Sequence, residues 1–236
     1  MDYYNASIMK RLLLQIWKKL LFKSYRISYS QMGEDLVLQF ILKDTEWSNF
    51  FYVDIGANDP VKYSNTYAMY KNGASGICVE PNPSLAKSIM KKRPRDIVVN
   101  AGIGTSDNHD ADFYEMTWPA FSTFDADQAE VIEKKYGGLN KVERVTRIRL
   151  LPVSNLFREV RNNKIDFLSL DVEGLDLEIL CQWDFERYAP KLICVELFDP
   201  KTKSKNQDIE DFLFQKGYTR VAENPINGIY LLKASR

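Results

Sequence analysis

From residue 50 onward, short runs of β-branched and aromatic residues alternate with longer stretches of helical spacing. FFYVDI at 50–55, GICVE at 76–80, DIVVNA at 96–101, IDFLSLD at 165–171 and KLICVE at 191–196 have the length and composition of strands. Between them, 64–72, 83–92, 152–162 and 175–183 carry apolar residues at helical intervals. This alternation predicts a doubly wound α/β architecture, a mostly parallel sheet with helices on both faces. The last β-rich runs, 218–222 and 228–232, flank Asn-Pro and Asn-Gly turn residues and predict a hairpin that closes the sheet with an antiparallel edge. Residues 104–133 hold eight acids and no Lys or Arg, and the next sixteen hold six bases, which reads as an insertion or lid within one domain.

The N-terminus follows another pattern. In 6–22, Lys10, Arg11, Lys18 and Lys19 fall on one half of a helical wheel, and Leu12, Leu13, Ile16, Trp17, Leu20 and Leu21 on the other. Residues 1–27 are therefore expected to form a basic amphipathic helix ahead of a domain at 28–236. Its apolar face suits either the surface of an anionic membrane or a protein surface, such as a second copy in a homodimer. The charges interrupt any apolar run of the roughly 18 residues that a membrane span requires, and no small-residue cleavage site follows. A cytoplasmic location is expected, with contact limited to the inner face of the membrane.

Lys plus Arg and Asp plus Glu both number 32, which argues against a general nucleic-acid binder. A hydrophobic content of 45% with 13% aromatics excludes a disordered chain. Cys78, Cys181 and Cys194 lack C-x-x-C spacing and are expected to be reduced, with Cys78 and Cys194 in the core.

In a doubly wound sheet, ligands bind at the carboxyl ends of the strands. The first strand ends in Asp54-Ile55-Gly56-Ala57-Asn58 and the second in Glu80-Pro81-Asn82-Pro83. An acid at the second strand end suits the two hydroxyls of a ribose. NAD fits poorly, because G-x-G-x-x-G is absent and Asp54 and Asp59 would repel a pyrophosphate. S-adenosylmethionine carries an adenosine, no phosphate and two positive groups that favour nearby acids.

The runs Ser30-Gln31-Met32-Gly33-Glu34-Asp35, Tyr52 to Asn58, Tyr63-Ser64-Asn65-Thr66, Glu80 to Pro83, and Ile165 to Gly174 with its Asp171-Val172-Glu173-Gly174 turn, in this order, resemble the FkbM family of S-adenosylmethionine-dependent methyltransferases. The resemblance covers about residues 28–235. It implies the class I methyltransferase (Rossmann-like) sheet, order 3-2-1-4-5-7-6 with strand 7 antiparallel, and methylation of hydroxyls on sugars, polysaccharides and secondary metabolites. It also implies that Asp54, Gly56 and Asn58 cradle the methionine end of the cofactor and that Glu80, with Pro81 and Asn82, holds the ribose. Ala101 at the third strand end, and Ser122, would stand beside the adenine. Pro60 and Ser169 depart from the family pattern, where glycine and lysine are common. Gly33, Glu34 and Asp35 are candidates for covering the cofactor or acceptor, or simply the acidic first turn of a helix; Tyr63 is placed to reach the acceptor.

Asp171 and Glu196 end the fourth and fifth strands, with Glu173 close by in sequence. Crowded buried carboxylates raise one another's pKa unless a cation compensates them. Three readings follow: a magnesium or manganese ion held by Asp171 and Glu196, Asp171 or Glu173 as general base, or Asp171 and Glu173 as caps of the helix beginning near Gly174. His109, the lone histidine, reads as a loop residue, so carboxylate or metal must handle the proton. The expected activity is O-methylation of a sugar hydroxyl in a glycan, polysaccharide or glycolipid. The alternatives are a non-catalytic, membrane-associated partner of a glycan-synthesis enzyme and, less in keeping with the glycine pattern, an NAD-dependent sugar enzyme.

Overall fold

Alternation along the first strand sets the two faces of the sheet. In the computed structural model, which describes residues 26–104, 109–160, 164–172, 174–199 and 204–233, strand β1 is Phe51–Ile55. Its odd positions Val53 and Ile55 join one buried cluster, and Tyr52 joins the cluster on the opposite face. Strands β2 (Ser75–Val79), β3 (Ile97–Val99), β7 (Phe167–Leu170) and β8 (Leu192–Glu196) repeat the pattern beside it, all parallel. Both faces of each strand are covered, which is why these runs are apolar throughout rather than alternating.

Helices α1 (Glu34–Ile41), α2 (Tyr67–Lys71) and α3 (Pro83–Lys92) supply Leu38, Met69 and Ile89 to the Tyr52 face. The other face takes Leu156 from the 3₁₀ turn Val153–Arg158, Ile179 and Leu180 from α5 (Asp176–Gln182), and Leu213 from α7 (Gln207–Gln215). Burying each such side chain contributes about 1.5–3 kcal/mol before chain entropy is counted. Helix α3 begins where the sequence directs: Asn82 Oδ1 accepts from the amides of Ser84 and Leu85, and Pro83 takes the first position.

Beyond β8, the short strands β9 (Phe198–Asp199) and β10 (Ser204–Lys205) pair as a two-stranded ribbon, and the seven strands of the main sheet run β11-β12-β8-β7-β1-β2-β3, where β11 is Tyr218–Glu223 and β12 is Asn227–Leu232. This is the expected class I methyltransferase order. The hairpin forms, with β12 antiparallel to β8 and lying one strand in from the edge that β11 occupies. The acidic insertion is a separate three-stranded sheet, β4-β6-β5, with β4 Gly102–Gly104, β5 His109–Met116, α4 Ala126–Lys135 and β6 Val142–Pro152. The charge asymmetry is thereby explained, because acids of β5 face bases of β6: Asp112 meets Arg147 at 3.2 Å and Glu115 meets Arg144 at 2.8 Å.

Some expectations change. Residues 152–162 were expected as a helix of normal length; Pro152 ends β6 and only a 3₁₀ turn follows. His109 opens strand β5, opposite Leu150, instead of sitting in a turn. Cys78 and Cys194 are buried, Cys181 is exposed, and all three are free thiols, as expected. The amphipathic N-terminal helix lies outside the described residues, and no helix among the described residues is long and apolar enough to cross a membrane.

Candidate active site

Three strand ends meet at the carboxyl edge. At the first, Gly56 and Ala57 both donate to the Val79 carbonyl at 3.0 Å, which folds the β1 loop over the end of β2. Gly56 has φ 84°, and a Cβ built on it would stand 1.9 Å from the Asp171 carbonyl oxygen. Only glycine suits this position, for both its backbone angle and its space. Two residues on, Asn58 also takes a positive φ of 50°, which aims its amide at Glu80 Oε2, 2.7 Å away. The other carboxylate oxygen, Oε1, accepts the Asn82 amide at 2.8 Å.

Glu80 is only 4% exposed. Burial pushes its carboxyl up to about 7, against the amides of Asn82 and Asn58, which favour the charged form. A carboxylate gripped by two amides and still offering free lone pairs suits vicinal hydroxyls. Asn82 contributes through its backbone amide, while its side chain caps α3 and donates to Glu115 at 3.0 Å, tying the small sheet to this edge. At the third strand end, Asn100 clamps the neighbouring loop by donating to the carbonyls of Glu80 and Pro81, both at 2.9 Å. Ala101 beside it is buried. Ser122 accepts the Met116 amide on the small sheet, so its hydroxyl is tied to that arm.

Asp54 is buried at the end of β1. It accepts the Thr66 hydroxyl at 2.5 Å and also that of Ser169, which itself accepts from Asn65. Burial raises its pKa, opposed by Arg93 and those two hydroxyls. The Ser64-Asn65-Thr66 run thus serves the acid at the first strand end, and Ser169 fills the place where the family pattern favours lysine. Tyr63 is 65% exposed at φ 58° in the loop just before.

The fourth and fifth strand ends bring Asp171 and Glu196 into a mutual hydrogen bond. Burial pushes Asp171 up, the hydrogen bond with Glu196 works downward, and the charges of Asp54 and Glu34 raise it further. Glu173 lies outside the described residues. Asp171 does not cap α5, whose N-cap position is Leu175 with no side-chain hydrogen bond; Asp176, in the first turn, instead reaches back to accept from the amides of Gly174 and Val172 at 3.3 and 3.4 Å, bracing the loop that follows β7. Burial, followed by the charge of Asp171, pushes Asp176 up to about 7. Among the described residues, no group of three or more His, Cys, Asp and Glu is arranged to hold a metal ion. The carboxyl pair alone is a sparse donor set for a hard cation that takes six or more oxygens.

Glu34 and Asp35 do form the first turn of α1, behind Gly33 at φ 90°. Their side chains nonetheless reach backward. Glu34 accepts from Asn224 at 2.8 Å, Asn227 at 2.6 Å and the Met32 amide at 2.9 Å. Burial raises its pKa, but these bonds and its own backbone amide outweigh that and hold it low. Asp35 gathers the hydroxyls of Ser28 and Ser30 and the Tyr29 amide. Segment 28–35 is thereby lashed to the β11–β12 turn beside Glu196, at the edge of the carboxyl pair. The sequence marked Asn224 and Asn227 as turn residues and Thr66 as part of a family run, but not as partners of Glu34 and Asp54; Arg93 and Asp96 carried no signal.

Residues 54–220 match the family model of the FkbM methyltransferase domain, more than half of the chain. No curated protein matches the sequence. Among solved structures, the chain is similar to methyltransferase FkbM from Methylobacillus flagellatus, 12% identical, over 78% of this chain and 44% of that one, with a TM-score of 0.49. It is also similar to an O-methyltransferase from Bacillus cereus in complex with SAH (11% identical, 94% and 90% covered, TM-score 0.47). A third is magnesium protoporphyrin IX methyltransferase from Synechocystis with bound SAH (11% identical, 98% and 97% covered, TM-score 0.46). The chain spans less than half the length of the first of these.

Proposed function

The chain belongs to the FkbM methyltransferase family, and from that premise we propose that it moves a methyl group from S-adenosylmethionine to a hydroxyl oxygen of a sugar in a glycan, polysaccharide or glycolipid. The observation that carries the oxygen acceptor is the hydrogen-bonded Asp171–Glu196 pair at the ends of adjacent strands β7 and β8. An alcohol must shed a proton as it is methylated, and the one histidine stands on β5, away from these strand ends. The sugar itself rests on the family resemblance.

The residues fit the cofactor. The Gly56 turn leaves no room for a side chain beside the Asp171 carbonyl, and Glu80 stands ready at the second strand end with both oxygens oriented. Glu80 would hold the ribose, and Asp54, Gly56 and Asn58 the methionine end. When bound, the cofactor supplies an already activated methyl group. The protein's share is then to align the two reactants and accept the proton. Asp171, raised by burial, is basic enough to take that proton, which neutralises its charge beside Glu196. The 28–35 segment is pinned beside the same edge by Glu34, which accepts from Asn224 and Asn227.

The test is methyl transfer from labelled cofactor to a panel of sugars and lipid-linked sugars, read as the mass gain of one CH2 unit. Transfer to a hydroxyl supports the proposal. Cofactor binding without turnover across the panel would support a non-catalytic partner of another glycan enzyme, and transfer to nitrogen or carbon would overturn the acceptor class.

A further inference from the structure

The largest fully buried side chain in the protein is a charged one, Arg93, with 0% exposure just after α3. Its Nε donates to Asp96 at 2.7 Å; its terminal nitrogens donate to the Tyr52 hydroxyl at 2.9 Å, the Thr66 hydroxyl at 2.8 Å and, more weakly, Ser64 at 3.4 Å. A guanidinium has no acceptor, so Thr66 Oγ1 must accept from it. The single proton of Thr66 is then directed to Asp54 Oδ2, 2.5 Å away. Ser64 likewise accepts from Arg93 and from the Tyr67 amide.

Asp96 is fully engaged on its own side, accepting from Tyr52 on both oxygens and from the Gly76 amide. The buried set therefore holds one guanidinium against two carboxylates, Asp96 and Asp54. One negative charge is left over, on the member that stands at the carboxyl edge. Burying an uncompensated carboxylate is costly, and a cation arriving at that edge relieves the cost.

We propose that Arg93, acting through the Thr66 hydroxyl, is a positioning residue for the cofactor: it holds Asp54 as an oriented carboxylate ready to meet the positive charge of S-adenosylmethionine. The proposal rests on the reading of Asp54 as a cofactor-holding residue. The groups that face Asp54 are Arg93 and Asp96 from beyond α3, Thr66 ahead of α2, Cys78 on β2 and Glu80 just after it, Ser169 on β7 and Asp171 just after it, and Cys194 on β8. Burial raises Asp54 and the Arg93 and hydroxyl contacts oppose that rise. Removing the Thr66 proton should therefore lift Asp54 further and leave it protonated at a higher pH.

Arg93→Met strands Asp96 without a counter-charge and threatens folding, so Thr66→Val is the sharper variant, with Thr66→Ser as the conservative rescue. Two measurements are made on the full chain. The first is a carboxyl-carbon NMR titration of Asp54 without cofactor; the second is calorimetric S-adenosylhomocysteine and S-adenosylmethionine affinity from pH 5.5 to 8.5. Thr66→Val should raise the Asp54 midpoint by about one pH unit and weaken S-adenosylmethionine about tenfold at low pH, with less loss at high pH; Thr66→Ser should restore both. The tenfold difference is taken against wild type, so the separate titration of Glu80 cancels. An unmoved Asp54 midpoint overturns the proposal, whatever happens to thermal stability. A moved midpoint with unchanged affinity at every pH overturns only the assignment of Asp54 to the cofactor, which Asp54→Asn would show independently.

Discussion

Replacing Glu80 by Gln tests the cofactor site at a buried carboxylate. The carboxylate accepts two backbone amides at 2.7 and 2.8 Å, from Asn58 and Asn82. Gln keeps the shape but turns one oxygen into an NH2, which must face one of those amides donor to donor. Charge-assisted hydrogen bonds of this kind are worth about 1.5–3 kcal/mol each. The loss of ribose contacts should thus weaken S-adenosylhomocysteine by roughly ten- to a hundredfold at pH 8. The pH dependence gives a second signature. With its carboxyl raised to about 7, wild-type Glu80 holds a proton at pH 6 that the ligand must displace, at about 1.4 kcal/mol per pH unit below the pKa. Wild-type affinity should climb through about pH 7 and level off above it, while Glu80→Gln stays flat in that window. Isothermal titration calorimetry at pH 6, 7 and 8, with heats compared in buffers of different ionisation enthalpy, reads both effects. Undiminished affinity in the variant, or a wild-type profile as flat as the variant's, would remove Glu80 from the site.

Gly56→Ala should cost about 3 kcal/mol or more, because it demands both a strained φ and space occupied by the Asp171 carbonyl; a thermal melt unchanged from wild type would refute the close approach. Asp171→Asn should lower turnover by about a hundredfold or more and abolish its rise with pH, with cofactor affinity preserved. In the wild type that rise follows deprotonation of the Asp171–Glu196 pair, whose base strength burial has raised. Turnover should also survive EDTA; loss on chelation and recovery with magnesium or manganese would instead give the pair a metal-binding role. Deleting residues 1–25 should abolish sedimentation with anionic vesicles and leave cofactor affinity intact, whereas a loss of cofactor affinity would make the segment part of the domain.

Strand ends were legible because they combine a short continuous apolar run with a sudden polar residue, and Asp54, Glu80, Asp171 and Glu196 all stand where that break predicts. The exact bounds of α3 followed from Asn82-Pro83, a cap and first-turn pair with a local mechanism. The small sheet was illegible as strands. On β5 and β6, charged residues alternate with apolar ones, but the stabilising partners are each other's charges across a register that a single chain segment does not announce. Arg93 carried no signal for the same reason: whether a basic residue is solvated or buried depends on Asp96, Tyr52 and Thr66, which only the folded sheet brings to it. The bracing role of Asp176 carried no signal because its partners, the Val172 and Gly174 amides, reach it only once the loop after β7 folds back.

The contact between Gly56 and the Asp171 carbonyl bears on how such an enzyme can be retargeted. With no gap between the β1 and β7 loops, the residues proposed to hold the donor and those proposed to accept the proton lie along one continuous seam. Changing what the protein methylates by remodelling the Asp171 loop would disturb donor binding as well. The adjustable parts are those attached from outside the seam: the arm of β5 and β6, held partly by exposed charge pairs, and the 224–227 turn with the 28–35 strap that it anchors. A library aimed at new acceptors should be built there, with the seam left untouched.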